Sequence, residues 1–160
     1  MMQITLPESR IDRKAIRAWR ITGILFLLPF LIAAGGVYYF VDEFSQVPLM
    51  GIYLIIGFTF FILMILLLPA LRWKRWRYQI NEEDIDLQRG IIITKRTLVP
   101  INRIQHVDNR QGPIYKMFSL SSVTVSTAAT THEIPALNYE IAEQVRHNIS
   151  KFVNKAREDV

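Results

Sequence analysis

ITGILFLLPFLIAAGGVYYFVDEFSQVPLMGIYLIIGFTFFILMILLLPAL, residues 21–71, decides how the rest of the chain is read. It divides into two apolar spans, Ile21–Val41 and Leu49–Leu71, around a short connection that carries Asp42 and Glu43. Neither span holds a charged residue between its basic outer flank and that connection. About 20 predominantly apolar residues cover the ~30 Å hydrocarbon core of a bilayer. Within lipid, a helix satisfies every backbone N–H and C=O inside its own segment. The stretch therefore predicts an N-terminal transmembrane α-helical hairpin of two spans.

Two other readings of the spans carry less weight. A secretory signal peptide ending at Ala33-Ala34-Gly35 has an apolar region of only about 7–15 residues. The first span is longer than that, and a second follows it. Buried helices of a soluble protein are seldom so long, so evenly apolar and so basic at both ends. Trp19, Tyr38 and Tyr39 flank the first span and Trp73 and Trp76 close the second, which predicts aromatic rings at headgroup depth. Pro29 predicts a kink. Gly23, Ala33, Ala34, Gly35 and Gly36 predict a close approach of the second helix.

Charge sets the orientation. The basic N-terminal segment, residues 1–20, balances to +3, with Arg10, Arg13, Lys14, Arg17 and Arg20 against Glu8 and Asp12. The connection stands at −2. Arg72, Lys74, Arg75 and Arg77 add +4 directly after the second span. Residues 78–160 hold ten basic and ten acidic side chains. The whole basic excess, +7 against a net charge of +5, thus lies at the outer ends of the hairpin. Lys and Arg are retained on the cytoplasmic side. The expectation is a multi-pass protein of the cell (inner) membrane with both termini cytoplasmic. The same pattern removes the argument for nucleic acid as a partner. Arg72, Lys74, Arg75 and Arg77 are expected to meet anionic lipid headgroups.

After Arg77 the pattern shortens to β-type runs. Tyr78-Gln79-Ile80 and Ile85-Asp86-Leu87-Gln88 alternate around the polar turn Asn81–Asp84. Ile91–Thr94 and Thr97–Val99 are β-branched, which predicts two strands separated by a tight turn at Lys95-Arg96. Tyr115–Leu120 reads as about one helical turn, and Ser122–Thr127 as the clearest strand. A final helix starts from Asn138 as N-cap. Ile141, Val145, Ile149, Phe152 and Val153 form its apolar face at helical spacing.

Several of these residues stand in a familiar order. Tyr78-x-Ile80, Gly90-Ile91-Ile92, Leu98-Val99-Pro100-x-x-Arg103-Ile104-Gln105-x-Val107, Gln111, Phe118-Ser119-Leu120 and Val123-x-Val125-x-Thr127-Ala128 resemble the bacterial pleckstrin-homology (PH) domain family, over about residues 73–155. Two spans followed by one such domain is most similar to the YdbS-like membrane proteins. The resemblance implies a strongly bent, seven-stranded, all-β PH-like barrel capped by the C-terminal helix. The chain then divides into the N-terminal segment 1–20, the hairpin 21–71 and a cytoplasmic PH-like domain 72–160. Two positions depart from the family pattern: Ser119 stands where Gly is common, and Ala129-Thr130 where a Gly-rich hairpin turn is common.

Chemistry is sparse. Without Cys there is no disulfide, thiolate nucleophile or Cys-based metal site. His106, His132 and His147 lack metal-ligand spacing. Glu82, Glu83, Asp84 and Asp86 lack the Gly and distant Glu of a calcium loop. Ser119, Ser121 and Ser122 have no G-x-S-x-G setting. No catalytic residue, cofactor or metal is expected, and the resemblance implies none.

Arg103-x-Gln105 has two readings. Arg103 ties a turn to carbonyls or an acidic partner while Gln105 satisfies a strand edge. Alternatively, Arg103 joins Lys95 and Arg96 in an anion or interface site. The resemblance implies a binding or assembly module, either a homo-oligomer or a hetero-complex with a related, larger PH-domain membrane protein. The leading expectation is a non-enzymatic membrane-anchored scaffold. The alternatives are a module for anionic lipid headgroups and an accessory subunit of an export or antimicrobial-resistance system. The last is weakened because the spans carry no ionisable residue for a polar pathway.

Overall fold

The structure, a computed structural model, describes residues 7–40 and 48–158. The connection with Asp42 and Glu43 lies outside the described residues. A two-residue strand β1 (Ser9–Arg10) leads into helix α1 (Lys14–Phe40), and α2 (Pro48–Arg75) follows. Then come β2 (Arg77–Ile80), β3 (Asp84–Arg89), β4 (Lys95–Pro100), a 3-10 turn (Ile101–Arg103) and β5 (Ile104–Arg110). The short helix α3 (Pro113–Met117), β6 (Leu120–Thr127), β7 (Thr131–Asn138) and α4 (Tyr139–Glu158) complete the chain.

Asp12 caps α1, its Oδ1 accepting from Lys14 N–H at 2.7 Å. Lys14–Val37 and Leu54–Arg75 are each long and apolar enough to cross a membrane. Their large side chains stand outward, with Phe26 and Phe30 each 78% exposed. Such a surface suits lipid and is costly in water. The two helices meet near their basic ends. Arg20 donates to the Leu66 carbonyl at 2.9 Å, and a Cβ added at Gly23 would lie 3.2 Å from Ile65 Cγ1. Gly35 and Gly36 meet nothing within 4 Å. The expected role of Gly35 and Gly36 in hairpin packing is therefore corrected, and among the glycines of α1 close approach is seen at Gly23.

The strands form two antiparallel sheets, β1-β2-β3-β4 and β5-β6-β7. No ladder joins the two among the described residues, so the PH-like strand order is kept without closure into the expected barrel. Inward-facing Ile85, Leu87, Val99, Val123, Val125 and Ile134 form the core between them. Helix α4 covers it, packing on β5, β6, β7 and the 3-10 turn. Asn138 caps α4 as expected, its Oδ1 accepting from Glu140 N–H at 3.0 Å. The buried face is Ala142, Val145, Ile149 and Val153. Ile141 is 46% exposed, and the small, fully buried Ala142 takes the place expected of it.

Two further corrections concern turns. Ile91–Thr94 is a loop, and the strand starts at Lys95, where a turn was expected. Gly90 sets this, with φ +117° and a backbone approach that leaves a Cβ only 1.9 Å from the Ile93 carbonyl oxygen. Ser119 adopts φ +54° just after α3, a left-handed conformation that favours glycine. The β6–β7 turn closes without glycine. Thr127 N–H donates to Thr130 C=O at 2.9 Å, and the Thr127 hydroxyl accepts from Thr130 N–H at 3.1 Å.

Candidate functional site

The base of the hairpin is built into the β domain. β1, which precedes the first span, pairs with β2, which follows the second, placing Ser9 opposite Tyr78 and Arg10 opposite Arg77. Ile11, Ala15, Ala18, Trp76 and Tyr78 are buried in the domain core. Trp73 Nε1 donates to the Ile11 carbonyl at 3.0 Å, and Trp19 Nε1 to the Tyr115 hydroxyl at 2.9 Å. Asp12 N–H donates to Ala136 C=O at 3.0 Å. Ala136 has φ +51° at a bulge in the β6–β7 ladder, a conformation that costs an L-residue on the order of 1–2 kcal/mol. That bulge turns its carbonyl to the start of α1. The tryptophans expected as headgroup anchors are thus structural parts of the junction. Burial raises the Tyr78 hydroxyl above its ordinary pKa. It raises Tyr115 as well, against the opposing effect of its bond with Trp19.

The predicted basic residues spread over this junction. Arg72, Lys74 and Arg75 are exposed in the last turn of α2, where cations complement the helix dipole. The Arg72 guanidinium lies 4.3 Å from the centre of the Trp19 ring. Arg77 is half-buried in β2.

The other predicted group does not converge. Arg96 is engaged with the buried carboxylate of Asp86 on the neighbouring strand, Nε to Oδ2 at 2.8 Å and to Oδ1 at 3.0 Å. That bond raises the Arg96 pKa. Its charge serves the sheet, since a buried carboxylate needs a partner. Lys95 lines one groove, and Arg103 and Gln105 line another. Lys95, Arg96 and Arg103 therefore do not share an anion site.

β4 is the outer strand of the first sheet, and it runs between these grooves. Its Leu98 is 59% exposed. One groove, about 520 Å³, lies between β4, β5 and the β6–β7 turn, with Leu98, Asn102, Arg103, Gln105 and His132 in its wall. Gln105 stands at a β-bulge, since Ile104 pairs with Thr127 and His106 with Ser126. Such an extra residue re-aims a side chain at a sheet edge. Neither Arg103 nor Gln105 has a side-chain hydrogen bond among the described residues, so the reading of Arg103 as a structural tie is not what is found. His132 Nε2 meets the Thr130 hydroxyl at 2.8 Å. Burial, then Arg89 and Lys95, lower its pKa. The second groove, about 540 Å³, is formed by the β3–β4 loop against the end of α2. Sequence reasoning missed it because Ile91–Ile93 was read as strand.

Comparison with known proteins agrees with this architecture. The model of the bacterial PH domain family matches residues 24–153. The chain is 36% identical over 158 residues to the UPF0699 transmembrane protein YdbS of Bacillus subtilis (strain 168), covering 96% of this chain and 98% of that protein. It is 26% identical over 93 residues to the UPF0699 transmembrane protein YdbT of the same organism. That match covers 56% of this chain but only 19% of YdbT. No solved structure matches the chain.

Proposed function

Because the chain belongs to the bacterial PH domain family and is a membrane protein of two spans, we propose that it is a non-enzymatic, membrane-anchored scaffold. One observation carries this reading. Strand β4, with exposed Leu98, stands at an edge of the first sheet in a domain held to the membrane through its own hairpin. An open edge of this kind takes another strand by backbone pairing. The partner is a second copy or a related, larger membrane protein. YdbT supports the latter, because the segment resembling this chain is a fraction of its length. The +3, −2, +4 charge pattern supports cytoplasmic termini and a cytoplasmic domain in the inner membrane.

The chain has no Cys, so Leu98→Cys provides a unique thiol. In native membranes it should form a crosslink between two differently tagged copies, or with a co-expressed larger relative. In intact cells it should be protected from a membrane-impermeant maleimide. Absence of both crosslinks would refute pairing through β4, and labelling from outside would reverse the topology.

A further inference from the structure

The β3–β4 loop carries three consecutive isoleucines at a place where the rest of the domain buries its aliphatic side chains. Ile92 is 95% exposed and Ile93 82%. Neither belongs to a strand. Gly90, at φ +117°, folds the loop so that it projects as a unit. Two adjacent aliphatic side chains exposed to that extent gain nothing from folding unless something apolar receives them.

Their position supplies the receiver. The loop forms one wall of a groove whose opposite wall is Arg72 and Trp76. Arg72 sits in the last turn of the second span, so the loop lies level with the basic end of a membrane-crossing helix. That is the depth at which headgroup gives way to acyl chain. The remaining cations of the groove are Arg89 and Lys95, at the two strand ends from which the loop springs. Among the described residues, no acidic one lines it. An apolar tip beneath a ring of three cations complements an anionic amphiphile.

We propose that the β3–β4 loop inserts Ile92 and Ile93 into the bilayer, and that the groove between Arg72, Arg89 and Lys95 holds the headgroup of an anionic phospholipid. The phosphate sits among the cations, and the acyl chains run beside the isoleucines and the end of α2. The domain then touches the membrane at two places, through its hairpin and through this loop. This stands independently of any pairing through β4.

The test uses the full chain in lipid nanodiscs, of phosphatidylcholine alone or with phosphatidylglycerol added. A fluorophore on Ile93→Cys should be shielded from aqueous iodide and quenched by brominated acyl chains. A label open to iodide in both nanodiscs would overturn insertion. Native mass spectrometry of the extracted protein should show retained phosphatidylglycerol in excess over phosphatidylcholine. Arg89→Gln and Lys95→Gln should each lower that retention about fivefold, the effect of one basic charge near a surface. Soluble glycerol phosphate should not displace the lipid, which separates a membrane ligand from a free phosphate. Retention unchanged in both variants, or lowered only by Lys74→Gln or Arg75→Gln, would overturn the groove as the site.

Discussion

The hairpin's base and its shafts both carry large apolar side chains, but these have opposite surroundings. At the base, Ile11 is 2% exposed and Ala15 and Ala18 are fully buried, while Trp73 and Trp19 donate hydrogen bonds into the domain. Along the shafts, Phe30 and Ile32 are 78% and 72% exposed, and Gly35, Gly36, Gly51 and Gly57 meet nothing. Charge marks the base off from the spans in the sequence, but hydropathy does not say where the apolar side chains of either one pack. What separates them is where polar backbone and indole N–H groups find partners. The base packs like a soluble core, and the shafts leave their surface to lipid or to other helices.

The largest expected contrast is between Ile11 and Ile32. Ile11→Ala should destabilise the folded chain by about 2–5 kcal/mol, the usual result of truncating a core aliphatic. Ile32→Ala should stay within roughly 0.5 kcal/mol, as for other exposed positions. Denaturant unfolding in detergent micelles measures both, and equal losses would erase the distinction between base and shaft.

Gly23 and Gly57 give the next test. Gly23→Leu drives a side chain into Ile65 and should cost about 1–3 kcal/mol, the range for overpacking. Gly57→Leu enters open space and should be near neutral. A spin-label distance across the hairpin near residue 23 should lengthen only in the first variant.

The smallest expected effect is at the Trp19–Tyr115 bond. Tyr115→Phe removes one hydrogen bond, worth about 0.5–1.5 kcal/mol. It also sharpens a pH dependence. Tyr78 and Tyr115 both have raised folded pKa values, so the folded chain holds these protons more tightly than the unfolded chain. Their contribution is therefore complete below pH 10.0 and is lost as pH rises through the raised folded values. Unfolding followed to alkaline pH should be less steep in Tyr115→Phe. An unchanged slope would mean that the base does not sense tyrosine ionisation.

Much of this architecture was legible in the sequence. The spans, the Asn138 cap, the strand around Val123 and Val125, and the PH-like order follow from length, periodicity and motif. The misses have physical causes. β1 is two residues long and gains its identity only from a partner beyond both spans. Ile91–Ile93 has strand propensity, but the left-handed Gly90 overrides it and makes it a loop. Ile141 and Ala142 are neighbours on a helix, and the small residue is the buried one. Trp19 and Trp73 carry the composition of interface anchors, and only tertiary partners reveal them as a joint. Of the basic residues proposed as sites, sequence located each one but not its commitments. Arg96 is engaged by Asp86, which no spacing rule exposes.

The pairing of β1 with β2 has a consequence for how the protein is made. The first sheet stays incomplete until both membrane crossings have been synthesised, because its outermost strand is translated before them and that strand's neighbour after them. Trp73 likewise meets Ile11 at a sequence separation of 62. The pairing therefore requires both ends of the hairpin to lie on one side of the bilayer. With the ends on opposite faces, β1 would have no β2 to pair with, and Ile11 and Trp76 would lose the cover they give the core.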